Sequence, residues 1–456
     1  MFDPKSPGDR ASTGIPGLDD VLAGGLPRNR TYLIQGDPGV GKTTMGLQFL
    51  LAGVARGESG LYVSLSETKT EIDAVAESHG WSLDGLHVHE LSAAEQLLHI
   101  DADNSVFHPS EVELRELTRM LIDVLDKTKP RRVVFDSLSE IRLLSQNAVE
   151  YRRQILRLKH HYANRDVTVL LLDDRSNPDG DKQLQSIAHG VISLEQMPQS
   201  YGTERRRIRV TKLRGLKFRG GFHDYRVDTG GLVVYPRLIA AEHQIIETRP
   251  KLQSGVEGLD RLVGGGLDPG TSTLFLGPAG SGKSSVMLQY AVSAAAKGKQ
   301  VSVFAFDEGK ATMMTRAKAL GIPLGQHVAS GAITVRQVDP AELAPDELAH
   351  EVRRAVEKSG TEVVAIDSLN GYLNAMPDER FLAIQLHELL SYLSHKGVVT
   401  LLVMAQHSFQ GAGVSSPVDL SYVADGIVLL RFFEHGGRLR KAISMVKKRS
   451  GAHENA

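Results

Sequence analysis

The sequence predicts an α/β chain built from two tandem copies of one unit, each a mainly parallel sheet flanked by helices. Three observations predict this: a long internal repeat, a glycine-rich phosphate loop at the same place in each copy, and short apolar runs alternating with helix-length stretches.

The repeat comes first. Residues 13–44 read TGIPGLDDVLAGGLPRNRTYLIQGDPGVGKTT, and residues 254–285 read SGVEGLDRLVGGGLDPGTSTLFLGPAGSGKSS. The register is gap-free: Gly14 recurs as Gly255, Lys42 as Lys283 and Glu67 as Glu308, all at an offset of 241. Chance does not align glycines, a lysine and a glutamate over such a span, so the chain is a duplication. Asp136 recurs as Asp367 at an offset of 231, so the first copy holds about ten extra residues between its glutamate and its aspartate. The polar segment 101–110, DADNSVFHPS, is the expected loop insertion.

In the first copy the apolar runs are 32–34, 61–65, 133–135, 167–172 and 191–194. In the second they are 273–276, 301–306, 363–366, 399–404 and 427–430. Continuous apolar strands separated by helices belong to a parallel sheet buried on both faces. The boundary is expected within 235–251, giving domains 1–240 and 241–456.

Bulk numbers agree. A chain of 456 residues suits two domains of this size, and 41% hydrophobic with 23% charged residues is a globular profile. The net charge of −1 gives no global pull toward nucleic acid, so any such contact would need a local patch. There are no cysteines, which excludes disulfides and thiolate metal sites. The polar N-terminus is no secretory signal and the apolar runs are too short to span a bilayer, so a cytoplasmic protein without a membrane partner is expected.

Gly36 to Thr43 (GDPGVGKT) and Gly277 to Ser284 (GPAGSGKS) both fit the phosphate-loop pattern between a strand and a helix. Gly39, Gly41, Gly280 and Gly282 let backbone N–H groups turn toward a phosphate. Lys42 and Lys283 place positive charge on the outer phosphates, and the hydroxyls of Thr43 and Ser284 are the Mg²⁺ ligands, followed by Thr44 and Ser285. Asp136 and Asp367 each end an apolar strand after the loop, where a metal-bound water needs an acceptor. Glu67, and the pair Asp307 and Glu308, end the second strand of each copy, where a carboxylate can orient or deprotonate the nucleophile; a helix cap is the plainer alternative.

A basic string runs Arg205, Arg206, Arg207, Arg209, Lys212, Arg214, Lys217, Arg219; its counterpart is Arg438, Arg440, Lys441, Lys447, Lys448, Arg449. Strand alternation places Arg207, Arg209 and Lys212 near one edge, suited to a neighbouring subunit's phosphates. Nucleic-acid contact and a solvated edge strand are the rival readings. His160 with His161, and His87 with His89, read as surface or satisfied histidines, and Trp81 as packing.

The paired phosphate loops, the [ST]-G-x-x-G-L-D leader before each, and Lys212 to Gly215 (KLRG) together resemble the KaiC family of RecA-like circadian-clock ATPases and autokinases. The resemblance covers essentially the whole chain. It implies a double-ring homo-hexamer with ATP between adjacent subunits, Lys212, Arg214, Lys447 and Arg449 reaching a neighbour's nucleotide. It implies that Glu67, Asp307 and Glu308 are catalytic and that a KaiB-type partner docks on the N-terminal ring. Counting back from Asp425, the family's phosphoacceptor pair falls on Ser421 and Tyr422. Three departures stand out: Tyr422 replaces the usual threonine, Ser66 and Asp307 alter the first acid of each pair, and the chain stops seven residues after Arg449. The family's long KaiA-binding tail would lie beyond that point, so a homologue working without KaiA is expected. The rival functions are a DNA-dependent recombinase or helicase-type motor, and a scaffold that binds ATP with little turnover.

Overall fold

The computed structural model describes residues 10–91, 109–145, 148–163, 165–175, 184–199, 202–243, 250–339, 341–374, 382–406 and 424–449. The chain divides into two compact units, one ending at Arg237 and the next starting at Leu238, residues 202 and 203 excepted.

In the first unit, β1 (Arg10–Ala11) and β2 (Leu26–Pro27) form a small ribbon. The main sheet uses β3 (Thr31–Gly36), β4 (Gly60–Ser64), β5 (Leu86–Glu90), β6 (Arg132–Asp136), β7 (Thr168–Asp174), β8 (Gly190–Met197), β9 (Arg205–Leu213), β10 (His223–Asp228) and β11 (Gly231–Tyr235). Its order is β11-β10-β9-β8-β3-β7-β6-β4-β5. The second unit has β12 (Ser272–Gly277), β13 (Gln300–Ala305), β14 (Ile333–Gln337), β15 (Thr361–Asp367), β16 (Val399–Ala405), β17 (Gly426–His435) and β18 (Arg438–Lys448), ordered β14-β13-β15-β16-β12-β17-β18.

The repeat is therefore architectural. Reading outward from the phosphate-loop strand, β3 and β12 occupy equivalent positions, and seven strands correspond one to one. The first unit adds the hairpin β10–β11 beyond β9. All ten apolar runs fall on strands, and the central ones pair in parallel. Each sheet is covered by a separate hydrophobic core on each face, as buried parallel strands require.

Two sequence expectations need correction. Pro109 and Ser110, read as insertion loop, begin the helix Pro109–Thr128; residues 101–108 lie outside the described residues. Proline is suited to a first helical turn, where its missing N–H costs nothing. Second, Arg207 and Lys212 sit toward opposite ends of β9, opposite Glu195 and Val191. Nor is β9 an edge strand, because β10 pairs with it at Arg207 and Ile208.

Candidate nucleotide sites

Each phosphate loop follows the C-terminal end of a central strand and runs into a long helix, α1 (Lys42–Val54) in the first unit and α2 (Lys283–Ala296) in the second. Gly39, Gly41, Gly280 and Gly282 have φ between 75° and 107°, a region that side chains with a Cβ avoid. Their backbone amides can therefore line the concavity in front of a helix N-terminus, where anions bind.

In the first unit Lys42 Nζ donates to the carbonyls of Gly36 (2.8 Å) and Asp37 (2.9 Å). It also pairs with Asp174 Oδ1, at the end of β7, at 2.7 Å. Thr43 Oγ1 donates to Asp136 Oδ2 at 2.6 Å, and the Tyr62 hydroxyl donates to the same oxygen at 2.5 Å. Thr44 lies 3.4 Å from His79 Nε2. Glu67 is held at the end of β4 by its backbone, its N–H donating to Ser64 Oγ and its carbonyl accepting from it. Its Oε2 is buried and has no hydrogen-bond partner. Burial, then the charges of Asp136 and Glu71, push its pKa above the usual glutamate value.

The second unit keeps the frame and changes the partners. Lys283 Nζ donates to the Pro278 carbonyl at 2.8 Å, and burial lowers its pKa against the opposing pull of Asp367. Ser284 hydrogen-bonds Asp367, whose Oδ2 is buried without a partner. Burial leads in pushing the Asp367 pKa up, with Glu308 and Asp307 adding to it. Asp307 accepts a hydrogen bond from Ser368 Oγ. Glu308 is clamped: Arg316 donates Nε to Oε1 (3.0 Å) and Nη2 to Oε2 (2.6 Å), while its Nη1 reaches Ser285 Oγ at 3.3 Å.

The structure thus gathers Lys42, Thr43, Asp136 and Glu67 at one site and Lys283, Ser284, Asp307, Glu308 and Asp367 at the other. The hydroxyl–carboxylate pairs Thr43–Asp136 and Ser284–Asp367 are hard oxygen donors that fit Mg²⁺, and the unpartnered Asp367 oxygen is suited to a metal-bound water. Lys212 and Arg214 lie elsewhere. Lys212 Nζ donates to the carbonyls of Ala188 (2.9 Å) and Gln185, and Arg214 to that of Ser186 (2.8 Å). Lys212 faces Val191, which faces Leu33, so it sits toward the start of β3, roughly 10–15 Å along the strands from its own phosphate loop. Lys447 and Arg449 occupy the equivalent end of the second sheet, bonded to the Ala424 carbonyl (2.8 Å) and to Asp425 (3.5 Å). Arg207 instead pairs with Asp224 (3.4 Å) and Arg209 covers Phe222.

Tyr62, Asp174 and Arg316 were missed from the sequence. The repeat held a signal for two of them: at the offset of 241, Tyr62 aligns with Val303 and Arg316 with Val75. Trp81 packs beside His79, ring centroids 4.8 Å apart, on the first unit's core. No helix among the described residues is long and apolar enough to cross a membrane.

The family model for the KaiC ATPase matches residues 11–239 and again residues 252–456. This chain belongs to the KaiC ATPase family. It is 26% identical over 454 residues to the circadian clock oscillator protein KaiC of Parathermosynechococcus lividus, covering 98% of this chain and 82% of that one. It is 25% identical over 464 residues to the circadian clock protein KaiC3 of a Synechocystis strain, covering 100% of this chain and 90% of that one. The KaiC oscillator protein of Synechococcus elongatus is similar at 25% over 453 residues, covering 97% and 86%. Of the residues that the KaiC resemblance singles out, Ser421 and Tyr422 lie outside the described residues.

Proposed function

We propose that both domains, 1–240 and 241–456, bind Mg·ATP and hydrolyse it, that the N-terminal domain does so faster, and that the C-terminal domain also phosphorylates its own chain at Ser421. The observation carrying this is Glu67: a carboxylate beside a complete phosphate loop, with one buried oxygen uncommitted and a raised proton affinity. That is the state of a general base awaiting a water. The water oxygen attacks the γ-phosphorus as its proton passes to Glu67, and the bond to the β–γ bridging oxygen breaks with its electron pair leaving on ADP. Lys42 would stabilise the charge on the outer phosphates, and Thr43, with Asp136 accepting from a metal-bound water, would hold Mg²⁺, which would neutralise charge as it develops.

Ser421 lies three residues before Ala424, whose carbonyl accepts from Lys447 at the end of the sheet remote from its own phosphate loop. Lys212, Arg214, Lys447 and Arg449 therefore suit a nucleotide bound by an adjacent subunit, which supports the ring assembly, a double-ring homo-hexamer. The Ser421 hydroxyl oxygen would attack the γ-phosphorus, its one proton passing to Asp307, with Glu308 beside it holding Arg316 at the site, as the bond to the β–γ bridging oxygen breaks and ADP leaves. A KaiB-type partner on the N-terminal ring and a role as a phosphorylation-state switch, in circadian-type or other signalling, complete the reading.

Phosphosite mapping by mass spectrometry after incubation with Mg·ATP tests it, with Ser421→Ala and Glu308→Gln in parallel. The expected result is phosphate on Ser421 that the first variant removes and the second depletes. No phosphate there with ATP still hydrolysed would remove the kinase and leave a two-domain ATPase. A particle of monomer mass in saturating Mg·ATP would remove the ring.

A further inference from the structure

The two sites differ at the carboxylate that should activate the nucleophile. Glu67 has a buried oxygen with no partner. Glu308, its repeat equivalent, has both oxygens engaged by Arg316, at 3.0 and 2.6 Å. Arg316 comes from the helix Lys310–Ala319, eight residues beyond Glu308, so the bond spans about two helical turns from the strand end. The third guanidinium contact, to Ser285 Oγ on α2, ties the clamp to the first turn after the phosphate loop. The Val75 side chain at the matching place in the first unit packs against the hydrophobic core and cannot pair with Glu67.

We propose that Arg316 is a positioning residue that restrains hydrolysis at the C-terminal site, holding Glu308 in a bidentate ion pair so that nucleotide bound there is kept rather than spent on water. A carboxylate has about four lone-pair positions, and a forked guanidinium occupies one on each oxygen. A water at the γ-phosphate then meets a base whose oxygens are already engaged and whose charge is compensated. The step slowed is transfer of the water proton to Glu308 as the new P–O bond forms and ADP departs. Asp307, Asp367 and Lys283 are the other charged groups placed at this centre; Asp307 takes its bond from Ser368 and Lys283 donates to the Pro278 carbonyl, while Arg316 bridges Glu308 to α2. The inference rests on the reading that both domains take ATP.

The test isolates each site in the full chain. In a Glu67→Gln background, phosphate release reports the C-terminal site. There Arg316→Val should raise kcat by about fivefold or more with KM for ATP little changed, and Arg316→Lys, which keeps the charge but cannot fork to both oxygens, should fall between Arg316→Val and the parental rate. Reciprocally, Val75→Arg in a Glu308→Gln background should lower N-terminal kcat by about fivefold. A gain of rate is not what structural damage produces, and the reciprocal variant decides the matter if Arg316→Val fails to fold. Fluorescent-ATP titration separates the two failures. No binding at either site defeats the nucleotide reading. Binding intact with Arg316→Val at or below the parental rate, or with Val75→Arg unchanged, overturns the role given to Arg316.

Discussion

The N-terminal and C-terminal sites share a strand order, a phosphate loop and an aspartate at the same strand end, yet their charges are compensated in opposite places. In the first, the loop lysine Lys42 is paired with Asp174 and Glu67, just past the end of β4, keeps an oxygen free. In the second, Glu308 is paired with Arg316, and Ala405 stands where Asp174 stood, opposite the last residue of the loop strand. The aspartates differ too. Asp136 takes hydrogen bonds from Thr43 and Tyr62, whereas Val303 replaces the tyrosine and leaves an Asp367 oxygen unpartnered. A duplicated scaffold fixes where these groups sit, while a few flanking side chains decide which of them is already paired.

The largest expected effect that sharpens this comparison is on pH. As the proposed base Glu67 would act when ionised, and its pKa is held above the usual glutamate value. Phosphate release by the Glu308→Gln protein should therefore rise with pH through that raised value and fall about tenfold per unit below it. A rate flat across the acid range would remove Glu67 as the base. A smaller effect concerns Asp174, which also accepts from Ser139 at 3.0 Å. An incoming phosphate must displace it from Lys42, so Asp174→Ala should tighten nucleotide binding at the N-terminal site about fivefold, read by fluorescent-nucleotide titration. Ala405→Asp should weaken the C-terminal site by a similar factor.

The smallest effect is on stability. An acid whose folded pKa is raised binds its proton more tightly when folded, so its contribution to stability is lost as pH rises through that value. Asp367 is such a group. Asp367→Asn should raise the nucleotide-free melting temperature at neutral pH by roughly 2–4 °C, about 1 kcal/mol in a domain of this size, while weakening Mg·ATP binding. Asp136→Asn should lower the melting temperature instead, because Asp136 accepts two charge-assisted bonds that the amide would weaken.

Much of the fold was legible because its signals are local or repeated. Apolar runs named the strands, and an exact spacing between two glycine-rich loops named the duplication. The hairpin β10–β11 was not legible, since HDYRVD lacks an apolar run and pairs through a partner strand instead. The placement of Lys212 failed for a related reason. Alternation reports which face a residue takes, but position along a nine-residue strand decides which end of the sheet it reaches. Motif and spacing place Asp136, Asp367, Glu67 and Glu308 at strand ends near the phosphate loops, and the structure brings them together there. Whether each carboxylate is free or clamped depends on Val75 or Arg316 two helical turns away, a difference visible in the repeat but without meaning until the side chains are placed.

One comparison of rates separates the two sites. Steady-state phosphate release should be measured for the unsubstituted chain, Glu67→Gln and Glu308→Gln under the same Mg·ATP conditions. Glu67→Gln should remove most of the hydrolysis and Glu308→Gln little of it, because the unclamped carboxylate would serve the faster site. Most of the activity surviving Glu67→Gln and vanishing with Glu308→Gln would contradict it.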